Sequence, residues 1–196
     1  MSEKISLAVK PTLHGEKVLL RPVEVADVAS CLDPDPEGDR LTGSHPRPGG
    51  LTVEMRENWY ATRADFDDRL DLAVVDRATG RFAGEVVLNE LDADNQSCNF
   101  RIYLMLNRNR NRGLGTEATR MILAHAFEAV GLHRVDLEVY AFNPRARRVY
   151  GKVGFVYEGT KRQALQWDGA WTDAHVMSIL AQEWAVHHGY PETGPS

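Results

Sequence analysis

A polar, glycine-containing segment at residues 107–116 has the residue types that bind phosphate. It reads Asn-Arg-Asn-Arg-Asn-Arg-Gly-Leu-Gly-Thr and lies between a predicted strand and a predicted helix. The unpaired amides and the dipole of a helix N-terminus attract anions, and Gly113 and Gly115 let the backbone approach a ligand closely. Arg110 and Arg112 can add charge-assisted hydrogen bonds, and the closing threonine can add another. The segment predicts a site for a phosphorylated small molecule.

Three other interpretations of these glycines must be weighed, and two of them remain open. A P-loop requires GxxxxGK[ST], and no lysine follows the glycines. Gly113, Gly115 and Ala118 satisfy the GxGxxA spacing of a dinucleotide site, although antiparallel strands precede them instead of a βαβ unit. A glycine-softened turn carrying surface arginines also fits the pattern.

The distribution of charge favours a small anionic ligand over a polyanion. The net charge is −5, from 23 basic and 28 acidic residues, which argues against nucleic-acid binding through bulk positive charge. Residues 101–120 nevertheless contain five arginines and one acid, so the basic charge is local. The two cysteines have no CxxC or histidine spacing, and we expect no metal site. We see neither a signal peptide nor a membrane span, and expect a cytoplasmic protein with no membrane partner.

Chain length and hydrophobic periodicity predict one mixed α/β (α+β) domain over residues 1–196, with a tail at 187–196. A strand meander precedes the phosphate segment, and alternating helices and strands follow it. Residues 33–50 are rich in Pro, Gly and Asp and are predicted to be a loop. The predicted strands are 17–21, 71–75, 81–90, 97–106, 135–140, one starting at 154, and 174–180; the predicted helices are 25–32, 52–66, 116–130 and 144–152.

A second motif follows the first by about thirty residues. The stretch from Asn143 to Phe155 reads N-P-R-A-R-R-V-Y-G-K-V-G-F. It resembles the N-x-x-[AS]-x-x-x-Y-x-K-x-G-F motif of the GNAT superfamily, and Arg110-x-x-Gly113-x-Gly115 resembles that family's [QR]-x-x-G-x-[GA] motif. The sequences at 19–22, 158–159 and 168–173 resemble the RimJ/RimL-like branch, which acetylates ribosomal-protein N-termini.

This resemblance covers a core of about residues 16–182 and implies a GNAT fold, with a central, mostly antiparallel twisted sheet, and acetyl-CoA as co-substrate. It implies that backbone amides hold the pyrophosphate, that a strand pairs with the pantetheine arm, that Asn143 touches the pantetheine or its thiol end, and that Tyr150 lies near the sulfur. The implied contacts to the donor are Met105, Leu106, Asn107, Arg110, Asn111, Arg112, Gly113, Leu114, Gly115, Thr116, Asn143 and Tyr150.

The implied reaction is direct attack of a primary amine on the thioester in a ternary complex. Tyr150 is the candidate acid that protonates the departing thiolate, and an amide near Met105 is the candidate oxyanion donor. Many members of the branch carry an acid where this chain has Asn99-Phe-Arg101, so we predict a base on the central hairpin: Glu85 or Glu90, with Asp92 third. A pre-deprotonated amine would need no base.

Two further classes of protein remain possible from the sequence. The chain could be an acyl-CoA-binding module without chemistry, or a different nucleotide-binding enzyme that uses Gly113 and Gly115. The donor could also be another acyl-CoA, such as succinyl-CoA. The expected partners are the donor and an amine acceptor, either a protein N-terminus or a small molecule, and family members often form homodimers.

Overall fold

Eight strands form a single sheet in the computed structural model, which describes residues 5–32, 35–44, 52–105 and 112–188. The strands are β1 (Leu13–His14), β2 (Val18–Pro22), β3 (Leu70–Asp76), β4 (Arg81–Asp92), β5 (Ser97–Leu104), β6 (Arg134–Tyr140), β7 (Val156–Trp167) and β8 (Ala170–Leu180). The α-helices are α1 (Pro36–Thr42), α2 (Val53–Ala61), α3 (Leu114–Ala124), α4 (Pro144–Val153) and α5 (Ala181–His188). Short 3-10 helices cover Val25–Cys31 and Arg63–Asp65, and a π-helical turn, His125–Ala129, continues α3.

The sheet order is β1-β2-β3-β4-β5-β6-β8-β7, and every neighbouring pair is antiparallel except β5 and β6. These two strands run parallel and pair only over Ser97–Asn99 against Arg134–Asp136. The structure confirms the predicted mixed α+β class with a mostly antiparallel sheet and flanking helices. The short parallel pairing leaves β5 and β6 without mutual pairing over the rest of their length.

Helix α3 packs its apolar stripe on one face of the sheet. Leu114, Ala118 and Ile122 follow one another at four-residue spacing and are almost completely buried. Their neighbours in the core include Val86 and Leu88, which alternate along β4 toward the same face. The other face of the sheet carries α1 and α2.

The predicted loop at residues 33–50 is wrong in part, because α1 lies inside it. Asp35 caps this helix by accepting from the Gly38 amide at 3.0 Å, and Pro36 occupies the first turn. Gly43 ends it with φ 68°. The Asp, Pro and Gly residues that suggested a loop therefore provide the start and stop signals of a short helix.

The end of the described chain is more ordered than predicted, because α5 follows β8 directly. Trp184 of α5 is buried, and its indole Nε1 donates to Glu128 Oε1 at 2.9 Å. The predicted tail therefore begins within the last turn of α5, and residues 189–196 lie outside the described residues. In the described part of the chain, no helix has the length and apolar character needed to cross a membrane.

Candidate active site in the cleft between strands β5 and β6

The divergence of β5 from β6 opens a cleft of about 370 Å³. Helix α1 lies at its mouth, α3 points its N-terminus at it, and α4 forms part of its wall. Its lining residues are Gly38, Leu41 and Thr42 of α1, residues 100–104 of β5, residues 113–116 and 119, residues 138–140 of β6, and residues 143, 145, 146, 149 and 150. Five elements, α1, β5, α3, β6 and α4, thus meet around one cavity.

The N-terminus of α3 presents backbone amides to this cleft. Gly113 is the N-cap residue with φ 84°, a backbone conformation that favours glycine, and no side chain of the described residues caps the helix. A Cβ on Gly115 would lie 3.1 Å from Leu104 Cδ1, so the small residue lets the helix start approach β5 closely. Gly113, Leu114, Gly115 and Thr116 all line the cleft. An uncapped helix N-terminus beside a cavity is suited to a pyrophosphate.

The Arg112 side chain makes an ion pair that the sequence did not predict. Its guanidinium donates to Asp76 Oδ2 at 2.6 Å, and Asp76 is buried. This bond, together with those from Thr79 and the Ala78 amide, holds the pKa of Asp76 below its ordinary value. Arg112 lines a separate hollow that also includes Lys17. The side chain therefore anchors the start of α3 to β3, and its predicted bond to a phosphate stays a prediction.

Tyr150 lines the cleft from α4, opposite the start of α3. Its ring makes edge contacts with Phe100 and Phe155, with centroids 5.9 and 5.8 Å away. Burial raises the pKa of its phenol to about 12, so the hydroxyl keeps its proton at neutral pH. Asn143 also lines the cleft, and its Oδ1 caps α4 by accepting from the Ala146 amide at 3.1 Å. The second motif therefore places a protonated phenol and a capped helix start in one wall.

Comparison with known proteins identifies the family. The sequence model of the family described as Acetyltransferase (GNAT) domain matches residues 17–156, which is more than half of the chain. The chain belongs to the GNAT acetyltransferase family. The Bacillus subtilis (strain 168) protein named "Probable N-acetyltransferase YjcK" is 28% identical to this acetyltransferase over 174 residues, which cover 86% of the chain and 96% of that protein.

Two further relatives of this GNAT enzyme are named for an acceptor. The spermidine N(1)-acetyltransferase of Escherichia coli (strain K12) is 25% identical over 181 residues, covering 92% of this chain and 94% of that protein. The crystal structure of spermidine N-acetyltransferase from Vibrio cholerae, in complex with CoA and spermine, has a TM-score of 0.78 at 23% identity. It covers 87% of this chain and 99% of that one, and supports the same fold.

The backbone amide of Met105, the predicted oxyanion donor, is paired within the sheet of the acetyltransferase. The Met105 N–H donates to the Ala83 carbonyl at 2.9 Å, and the side chain is buried. A backbone N–H has one proton to donate, so this amide is paired within the sheet and is not the oxyanion donor, whereas a contact between the Met105 carbonyl and the pantetheine stays a prediction. Four other residues that were predicted to contact acetyl-CoA lie outside the described residues: Leu106, Asn107, Arg110 and Asn111.

Glu85 lies one strand inward from the cleft of the acetyltransferase. It is opposite Tyr103 in the β4–β5 register and accepts a hydrogen bond from the Tyr60 hydroxyl. Burial raises the pKa of its carboxyl, while the Tyr60 bond opposes that rise. Cys31 Sγ lies 3.3 Å from the same Tyr60 hydroxyl. Glu85 shares the face of Tyr103 but is not among the residues that line the cleft.

The other two predicted bases also lie outside the cleft lining. Glu90 is exposed near the end of β4, with φ 55°. Asp92 is exposed at the last position of β4 and accepts from the Asn95 side-chain and backbone amides at 2.7 and 3.0 Å, which lower its pKa. A base among these three stays a prediction, because no described contact joins them to Tyr150.

Several cleft residues of the acetyltransferase were missed from the sequence. Tyr103 and Glu138 line the cavity from β5 and β6. Tyr103 also donates to Asp35 Oδ2 at 2.9 Å and so connects β5 to the start of α1. The alternation Val135, Leu137, Val139 was a usable signal, because it sends Glu138 to the opposite face.

Proposed function

We propose that this acetyltransferase moves an acetyl group from acetyl-CoA to a primary amine by direct attack in a ternary complex. The observation that carries the proposal is the single cleft that joins the uncapped start of α3 to the phenol of Tyr150. The first can hold a pyrophosphate, and the second can protonate a thiolate. A thioester with a phosphorylated handle, such as acetyl-CoA, is the substrate that needs both.

The gap between β5 and β6 provides a place for the pantetheine arm of the donor. β5 pairs with β6 only over Ser97–Asn99, and an extended pantetheine arm would lie along the gap that opens beyond this pairing. Gly113 to Thr116 of the α3 start would hold the pyrophosphate at one end. Asn143 and Tyr150 would then lie near the thiol end, as the family resemblance implies.

In the proposed reaction, the amine nitrogen attacks the thioester carbon and a C–N bond forms. The carbonyl oxygen carries the developing charge until the C–S bond breaks and the CoA thiolate leaves. Tyr150 protonates the sulfur, and its burial keeps that proton available across the physiological pH range. The protein contributes orientation by holding donor and acceptor in one cavity.

For the acceptor, we propose a primary amine of one of two kinds. Spermidine is the first to test, because relatives from E. coli and V. cholerae are named for it. A protein N-terminus is the second, because the sequence resembles the RimJ/RimL-like branch. The stretches that carry this second resemblance have structural partners here: Arg21 bonds Asp27 at 2.6 Å, and Glu158 bonds Arg134 at 2.6 Å.

The test is release of CoA thiol from acetyl-CoA in the presence of an amine panel. The panel contains spermidine, putrescine, an aminoglycoside and a short peptide with a free N-terminus. We expect thiol release that depends on one class of amine, with one mole of thiol released for each mole of acetylated amine formed. Binding of acetyl-CoA with no amine-dependent release would favour a binding module without chemistry. Faster thiol release from succinyl-CoA than from acetyl-CoA would identify succinyl-CoA as the donor. Tight binding of ATP or NAD, without binding of CoA, would refute the proposal.

A further inference from the structure

Glu138 is the one aspartate or glutamate among the described residues that line the cleft. It lies on β6, between Leu137 and Val139, both of which belong to the buried core. Strand alternation sends the side chain of Glu138 to the opposite face of the sheet, where 40% of its surface remains exposed. The carboxylate therefore faces the cleft from the side that carries α1.

Tyr150 approaches the same cleft from the other side of the sheet. Its ring packs on Phe100 and Phe155, which are core residues on the α3 and α4 face. Tyr103, in contrast, faces α1, since a Cβ on Gly38 would lie 2.4 Å from its ring. The gap between β5 and β6 thus separates a carboxylate on one face from a phenol on the other.

The Glu138 carboxylate already holds a primary ammonium group. Lys161 of β7 places its Nζ on Glu138 Oε1, and this contact raises the pKa of the lysine. Both side chains are largely exposed, so the pair contributes little stability and can exchange partners. An alkylammonium at this carboxylate is chemically equivalent to the charged form of a primary amine acceptor.

We infer that Glu138 binds the acceptor ammonium in place of Lys161 and takes its first proton. This inference rests on the proposed function and names the residue that would receive the amine there. Arg101 of β5 and Tyr140 of β6 also line this part of the cleft. Arg101 can repel a wrongly placed ammonium, which leaves Glu138 as the anionic partner within the described lining.

Proton transfer in this reaction uses Glu138 and Tyr150, which approach the cleft from opposite faces of the sheet. The ammonium loses one proton to the Glu138 carboxylate, which passes it to solvent, and the freed nitrogen lone pair forms the C–N bond. When the C–S bond breaks, Tyr150 gives its proton to the thiolate and regains one from the nitrogen of the intermediate. The products are the N-acetyl amine, CoA thiol and one released proton.

The experiment compares Glu138→Gln with the wild-type enzyme, using the amine that the wild type acetylates best. General base catalysis and ammonium binding are both lost, so we expect kcat/KM for the amine to fall about 100-fold, with a raised acceptor KM. The KM for acetyl-CoA should stay within about twofold, because the donor contacts lie elsewhere. Glu138→Asp keeps the charge and should recover part of the activity.

Two further variants separate this role from a general loss of charge. Lys161→Met should keep turnover and lower the acceptor KM by up to about fivefold, because it removes the competing ammonium. Asp94→Asn removes an exposed carboxylate from the β4–β5 turn and should match the wild type. Thermal melting of each variant checks folding.

The outcomes distinguish this inference from the proposed function. If the wild type acetylates no amine, the proposed function fails first. If the wild type is active and Glu138→Gln stays within about twofold in kcat/KM, Glu138 is not the acceptor carboxylate. A loss in Lys161→Met as large as that in Glu138→Gln would also overturn the inference, because the ion pair itself would then be what the enzyme needs.

Discussion

Removal of one oxygen atom from Tyr150 tests the proposed acid directly. Tyr150→Phe keeps the ring that packs against Phe100 and Phe155 and deletes only the hydroxyl of this cleft-lining residue. The wild-type phenol holds its proton to a pKa of about 12, because burial disfavours the phenolate. At neutral pH it is therefore a proton donor that the Phe variant lacks.

The expected loss follows from the role of the hydroxyl. A positioned general acid contributes about 10² to 10⁴ in rate, which corresponds to roughly 3–5 kcal/mol of barrier. The variant should lose this factor in kcat while the KM for acetyl-CoA changes by less than about twofold. Folding should be nearly unaffected, because the edge contacts of the ring remain.

The assay is thiol release with the preferred amine, measured across a range of acetyl-CoA concentrations. Tyr157→Phe is the matched control: it also removes a phenol hydroxyl, but from the exposed strand β7, where the group contacts Thr160 Oγ1 at 2.7 Å. This control should behave as the wild type. A Tyr150→Phe enzyme with kcat within about twofold of wild type would refute the reasoning, and a raised acetyl-CoA KM with unchanged kcat would make Tyr150 a binding residue.

Two other predictions concern the elements around the cleft. Gly43→Ala should raise the acceptor KM without changing acetyl-CoA affinity, because φ 68° and a Cβ only 2.5 Å from the Tyr140 ring would push α1 off the cleft mouth; steady-state kinetics in each substrate measure this. Glu158→Gln should lower stability at neutral pH by up to about 1 kcal/mol, since the Arg134 bond lowers the folded-state pKa of Glu158 from 4.5 to about 2 and its exposure weakens the effect. That stability is present above pH 4.5 and lost as the pH falls toward 2, so urea titrations of the two proteins should converge in acid, and a constant difference would contradict the assignment.

The sequence was most informative where a local pattern determines a local structure. Thr52 accepts from the Met55 amide at 3.1 Å and Asn143 accepts from the Ala146 amide at 3.1 Å, so the helices predicted to start near these residues each begin with a side-chain cap. The apolar stripe of α3 and the alternation of β6 likewise predicted the buried faces. These features depend on residues within a few positions of one another.

The parts that the sequence did not predict depend on distant partners. Arg112 pairs with Asp76, which is 36 residues away, and Tyr60 bonds Glu85 from a separate helix. A basic segment alone cannot tell whether its arginine meets a phosphate or a buried aspartate. Glu138, the carboxylate of the described cleft lining, was missed for a similar reason, since only the sheet order places β6 at the cleft and β4 one strand away.

A structure of the chain bound to CoA tests the central claim most directly. We expect the pantetheine arm between β5 and β6, the pyrophosphate at Gly113 to Thr116, and the sulfur within about 3.5 Å of the Tyr150 hydroxyl. A pantetheine arm outside this cleft, or a sulfur turned away from Tyr150 with the pyrophosphate in place, would contradict the account.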